Sequence, residues 1–252
     1  MIETWLTIGL VALGAALAGF VQGVTGFAFS LVAMGVWAWA LPPQVAAPLA
    51  VFGALLGQVT SFTTVRGGYD FRRIAPLIVG GALGVPLGVF LLHNADPLRF
   101  KVAIGVLLTI YGLYGLTVRE PPRITTGGVG LDAFAGLIGG VFGGLAGMSG
   151  TVPAIWTQLR GWKRELRRAT MQAYNIVMHM LVLGAYARTG TLEPGVLRLF
   201  ALVAPAMLIP SLLGAYLFHR VSERSFERMV LALLLASGIG LLASAARALW
   251  AA

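Results

Sequence analysis

The chain has 252 residues, of which 58% are hydrophobic and 11% charged, with no cysteine and a formal net charge of +9. A soluble domain carries about 25% charged residues, so this chain lacks the polar surface to fold in water, and a bilayer is its natural solvent. The missing cysteines exclude disulfides, thiolate metal sites and a cysteine nucleophile, and the positive charge lies between apolar runs, as membrane topology requires, rather than in a patch for nucleic acid.

In chain order the apolar runs fall at 4–21, 26–41, 44–63, 74–93, 98–117, 130–146, 150–160, 169–187, 196–218 and 227–250. Most approach the ~20 residues that a spanning helix needs. The first has neither a basic n-region nor a small-residue cleavage site, which predicts a retained membrane segment from Met1 to about Phe20. Three runs are short: 26–41, 130–146 and 150–160. The last has 11 residues and cannot cross unaided. The short runs adjoin two glycine-rich junctions, Gly23-Val24-Thr25-Gly26 and Gly143-Gly144-Leu145-Ala146-Gly147-Met148-Ser149-Gly150. Such junctions predict broken or re-entrant helices whose irregular backbone is shielded inside protein. Whether 4–41 and 130–160 are re-entrant hairpins or full spans is open at this level.

Charge placement sets the topology. If each of these pairs returns to its starting side, the loops near 64–74, 118–129, 160–168 and 218–226 share one side with 13 Lys and Arg residues, against 5 on the other. A single kinked crossing for each pair would give 10 to 8. The positive-inside rule selects the first arrangement, with the basic side cytoplasmic and both termini outside. Each half then has an odd number of crossings, so the two halves are inverted relative to one another. The stretch around Thr125-Thr126-Gly127-Gly128 reads as a linker. The organisation is therefore a first membrane repeat at 1–122, a linker at 123–129 and a second repeat at 130–252.

Internal similarity points the same way. Gly19-x3-Gly23-x2-Gly26 recurs as Gly140-x3-Gly144-x2-Gly147, an offset of 121 residues. With a further slip of five residues, Gly88, His93, Phe100 and Gly112 align with Gly214, His219, Phe226 and Gly238. The expected fold is an all-α integral membrane protein of two inverted-topology repeats, each opening with a Gly-rich broken or re-entrant helix pair followed by three spanning helices.

These glycine-rich elements, Gly19 to Ser30 and Gly139 to Pro153, together with the matching order of apolar runs, resemble the TauE/SafE family, which is sulfite exporter-like. The second copy, Gly147-Met148-Ser149-Gly150-Thr151-Val152-Pro153, is the closer match. In the first, Phe27 and Phe29 stand where family members often have small residues or glycine. The resemblance implies a multi-pass protein of the cell inner membrane that exports sulfite, sulfoacetate or related sulfonates.

The residues argue for anions independently. If each junction opens a half-helix, its first N–H groups have no intrahelical partner and its dipole adds partial positive charge. Glycine lets an anion approach the backbone. The candidate binding residues are Gln22, Gly23, Thr25, Gly26 and Ser30 in the first half, and Gly147, Ser149, Gly150 and Thr151 in the second. Pro153 places the start of the second half-helix near Thr151 or Val152. The most polar run carries Gln172, Asn175 and His179 on one helix face, and Gln58 is related to His179 by the same offset of 121. These four are candidates for lining a cavity or coupling transport, with interhelical hydrogen bonding as the alternative role. His179 leaves room for proton coupling. All nine acidic residues fall in or beside loops, with Asp132 at a segment start, so the interior offers anions no repelling charge. No cofactor, metal or nucleic-acid partner is expected. The expected partners are a small anion and the bilayer, with room for a homodimer. The principal reading is a transporter and not an enzyme. A passive anion channel or structural membrane subunit is the alternative. An intramembrane serine protease built on Ser149 and His179 is a more distant one.

Overall fold

In the computed structural model, residues 5–26, 28–60, 69–118, 122–217 and 223–250 are described. Phe27, Arg66, Arg119, His219 and Arg220, which entered the reading of the sequence, lie outside them. The described residues form ten helices: α1 (Trp5–Thr25), α2 (Phe29–Trp37), α3 (Pro43–Thr60), α4 (Phe71–His93), α5 (Pro97–Thr117), α6 (Gly128–Ala146), α7 (Thr151–Leu159), α8 (Arg164–Arg188), α9 (Pro194–Leu217) and α10 (Glu223–Trp250). Seven of them, all but α2, α7 and α8, are long and apolar enough to cross a membrane. The chain is thus a multi-pass membrane protein whose described secondary structure is all helical.

Local chemistry sets the helix limits. Asp70 caps α4 by accepting from the N–H groups of Arg72 and Arg73, and Asp96 caps α5 in the same way ahead of Pro97. Gly26 (φ 86°) and Gly147 (φ 70°) end α1 and α6 in the left-handed region, where a side chain would be strained. The run at 130–146 is longer than the sequence indicated: α6 begins at Gly128 and its 19 residues are enough to span. By contrast, α2 and α7 have nine residues each, about 13.5 Å at 1.5 Å per residue. Each break therefore joins one full-length helix to one short returning helix. Helix α8 starts at Arg164, ahead of the apolar run at 169–187, because its first turns are charged and point outward.

Glycine seams fix how the helices run. Gly80 lies on Ala133 and Gly88 on Val141 and Gly144, so α4 and α6 are parallel and in backbone contact. Gly19 on Met207 and Gly23 on Ser211 make α1 and α9 parallel, while Gly105 on Leu242 and Gly112 on Leu231 make α5 and α10 antiparallel. Small residues are the expected means of close approach where lipid supplies no hydrophobic drive between helices. With α2 folded back along α1 (Trp37 on Gly14) and α3 along α2 (Phe29 on Gly53), the ends of α1, α3, α5, α7 and α9 lie at one end of the bundle. Helices α3 and α8 pack against each other in the interior.

Candidate functional site

The second break builds a small site. After Gly147 the chain makes one turn through Met148, Ser149 and Gly150, and α7 starts at Thr151. In this first turn Thr151 N–H is turned back onto Met148 O, Pro153 has no N–H and Ala154 N–H bonds Gly150 O. Among the described residues this leaves Val152 with an N–H that has no backbone acceptor. At this turn lies a cavity of about 20 Å³ lined by Ser30, Leu31, Gly147, Met148, Gly150, Thr151, Asn175 and His179. That volume admits roughly one water. Asn175 and His179 stand near the middle of the 25-residue α8, and Ala50 and Val51 of α3 close over Gly147 from the other half of the chain.

The polar atoms around this turn are not satisfied by the protein. Among the described residues, Ser149 Oγ, Asn175 Oδ1 and His179 Nδ1 are buried without a hydrogen-bond partner. Each such atom costs about 1–3 kcal/mol; Asn175 and His179, one turn apart on α8, both line the cavity, whereas Ser149 does not. His179 spends its other nitrogen on Gly147 O at 3.2 Å. A carbonyl only accepts, so Nε2 carries the hydrogen. The Asn175 amide packs on Gly150 and the Ser149 hydroxyl beneath Gly143, where no side chain competes for the space. Ser149 and His179 are not hydrogen-bonded to one another.

The first break is filled instead of open. Gln22 is fully buried; its Oε1 accepts from Phe29 N–H at 3.1 Å and its Nε2 donates to Gly26 O at 3.2 Å. The amide thus caps α2 where α7 has no side-chain cap. The Phe29 ring occupies the space over Gly53. Thr25 donates to Val21 O, Gly23 packs on α9, and Gln58 donates to Gly26 O at 3.3 Å. At an offset of 121, Gln22 and Phe29 correspond to Gly143 and Gly150, and the Gln58–Gly26 bond corresponds to the His179–Gly147 bond.

The structure therefore brings Ser30, Gly147, Gly150, Thr151, Asn175 and His179 around one cavity. Ser30 also donates to Ala50 O at 3.3 Å. Gln22, Gly23, Thr25, Gly26, Gln58, Ser149 and Gln172 do not line it; Gln172 accepts from Tyr69 OH at 2.9 Å. Leu31 and Met148 were not singled out by the sequence and carry no signal beyond their place next to the breaks. One reading needs correction: the interior is not free of carboxylates. Asp132 lies near the start of α6, as its fifth residue, but it is buried, accepting from Trp156 Nε1 at 2.7 Å and lying 3.3 Å from Arg160 Nε. Arg160, one of the basic residues counted for topology, also donates to Ile124 O and Thr126 O, and so ties the end of α7 to the linker. Among the described residues no carboxylate lines the cavity.

Residues 11–241 match the family model described as sulfite exporter TauE/SafE. A curated relative, the "Probable sulfite/organosulfonate exporter TauE" of Cupriavidus necator, is 26% identical over 234 residues, covering 88% of this chain and 89% of that protein. No solved structure matches.

Proposed function

The chain belongs to the sulfite exporter TauE/SafE family, and we propose that it is a secondary transporter that exports sulfite, sulfoacetate or other small sulfonates across the cell inner membrane, holding one anion in the cavity at the start of α7. The observation that carries this reading is the cavity beside the start of α7, lined by Asn175 and His179, whose Oδ1 and Nδ1 are buried without partners among the described residues, and by no carboxylate. An anion there meets hydroxyl and amide donors, the Val152 N–H and the positive end of the α7 dipole. Gln22 and Phe29 occupy the corresponding place in the first half, which leaves one anion site per chain.

Two inverted repeats, 1–122 and 130–252, account for the packing. Exchanging α1–α5 with α6–α10 turns the α1–α9 contact into α6–α4 and leaves the α5–α10 and α3–α8 contacts in place. The basic end faces the cytoplasm and both termini face outward. A cavity with room for one water favours alternating access over an open channel, since the half-helices must part to admit a sulfonate. The test is thermal stability of the purified protein in detergent against sulfite, sulfate, sulfonates and carboxylates. Sulfite or a sulfonate raises the midpoint with dose, by the equivalent of about 2.7 kcal/mol at a hundred times Kd. Stabilisation by none of the sulfur anions contradicts the reading.

A further inference from the structure

We infer that anion and proton bind to this site as a pair, the proton at Nδ1 of His179. The inference rests on the anion site proposed above and adds the ion that accompanies its ligand. His179 Nε2–H is committed to Gly147 O, a bond that the neutral and the charged ring both make. Proton exchange is thereby assigned to Nδ1, which is buried and has no partner among the described residues. Unprotonated, Nδ1 turns a lone pair toward its surroundings and repels an anion. Protonated, it offers an N–H and a full positive charge.

The hydrogen bond to glycine does not itself call for an imidazole. Gln58 makes the corresponding bond to Gly26 with an amide that cannot titrate. What His179 adds is Nδ1.

Among the described residues the surroundings supply no other counter-charge. On α8 itself the charged residues are Arg164, Glu165, Arg167 and Arg168, about three turns before His179, and Arg188, more than two turns after it. Arg72, Arg73 and His93 stand exposed at the two ends of α4. Asp132 of α6 is matched by Arg160, and α2, α3 and α7 carry no charged residue. An imidazolium alone, or an anion alone, is an uncompensated charge in a buried site, which is costly. Entering together they neutralise one another.

The test uses the full chain in detergent with methanesulfonate, which stays a monoanion throughout the working range. Its Kd is measured between about pH 6 and 9, and proton uptake on mixing is followed in weak buffer. The expected result is a Kd that rises about tenfold for each pH unit once binding must bring in its own proton, with about one proton taken up per anion bound. His179→Gln keeps a donor for Gly147 O, binds more weakly and has a Kd independent of pH. A wild-type Kd independent of pH with no proton uptake overturns the pairing and leaves the anion site standing. A pH slope that persists in His179→Gln overturns the assignment to this residue. No binding at any pH overturns the site itself. Should the variant fail to fold, proton uptake by the wild type decides alone.

Discussion

Asn175→Leu separates a binding role from a packing role by the sign of two effects. Asn175 is 3% exposed, and its Oδ1 has no partner among the described residues. Leucine keeps the branch at Cγ and removes a buried, unsatisfied polar atom whose penalty is about 1–3 kcal/mol. Its branch meets Gly150, which has no Cβ to collide with. The ligand-free protein should therefore unfold at the same temperature as the wild type or a few degrees higher. The anion loses one charge-assisted hydrogen bond from the amide, which can turn its NH₂ toward the ligand by a 180° flip. That loss is about 1.5–3 kcal/mol, or roughly ten- to a hundredfold in Kd. Both quantities come from one thermal-shift titration with sulfite, using intrinsic fluorescence in detergent. A melting point lowered by several degrees with unchanged affinity would refute the reasoning, because Asn175 would then be holding helices together.

Gln22→Leu should act in the opposite sense, since it strips the cap from Phe29 N–H: stability falls by about 1–3 kcal/mol and sulfite affinity changes little. Normal stability with a tenfold loss of affinity would make the first break a binding site as well. Asp132→Ala leaves the Arg160 guanidinium and Trp156 Nε1 without their acceptor. Breaking a buried pair costs about 3–5 kcal/mol, and the lower end applies because the Arg160 side chain is 16% accessible; a denaturation midpoint equal to that of the wild type would contradict this role. A cysteine at Lys163, the only one in the chain, should resist impermeant thiol reagents in intact cells and react once the membrane is opened. Labelling of intact cells reverses the orientation.

How much of this was legible depends on the range of the interaction. Both breaks could be located because a left-handed turn demands glycine, and Gly26 and Gly147 were visible as such. The offset of 121 linked Gln58 to His179, and in the fold each bonds the carbonyl of its own left-handed glycine. What one-dimensional spacing does not carry is the direction of a side chain about an irregular turn. Gln22 and Ser149 both flank a break, yet Gln22 reaches forward to cap α2 while Ser149 is folded under Gly143. The pairing of Asp132 with Arg160 is a contact across 28 positions, so Asp132 looked like a segment margin and Arg160 like a topology signal. The same blindness affects the choice of test. Gly147→Val, an obvious way to block the site from the sequence alone, collides with Val51 and puts a β-branched residue at φ 70°, so it would report on folding before binding.

Transport is decided most directly by flux of radiolabelled sulfite into proteoliposomes that hold unlabelled sulfite. The wild type should exchange label well above protein-free vesicles, in a saturable manner, and with competition from methanesulfonate. Asn175→Leu at the same protein density should require roughly ten- to a hundredfold more sulfite for half-maximal exchange. Exchange by the wild type no faster than by protein-free vesicles, or equal sulfite dependence in both proteins, would contradict an anion exporter with its site at the start of α7.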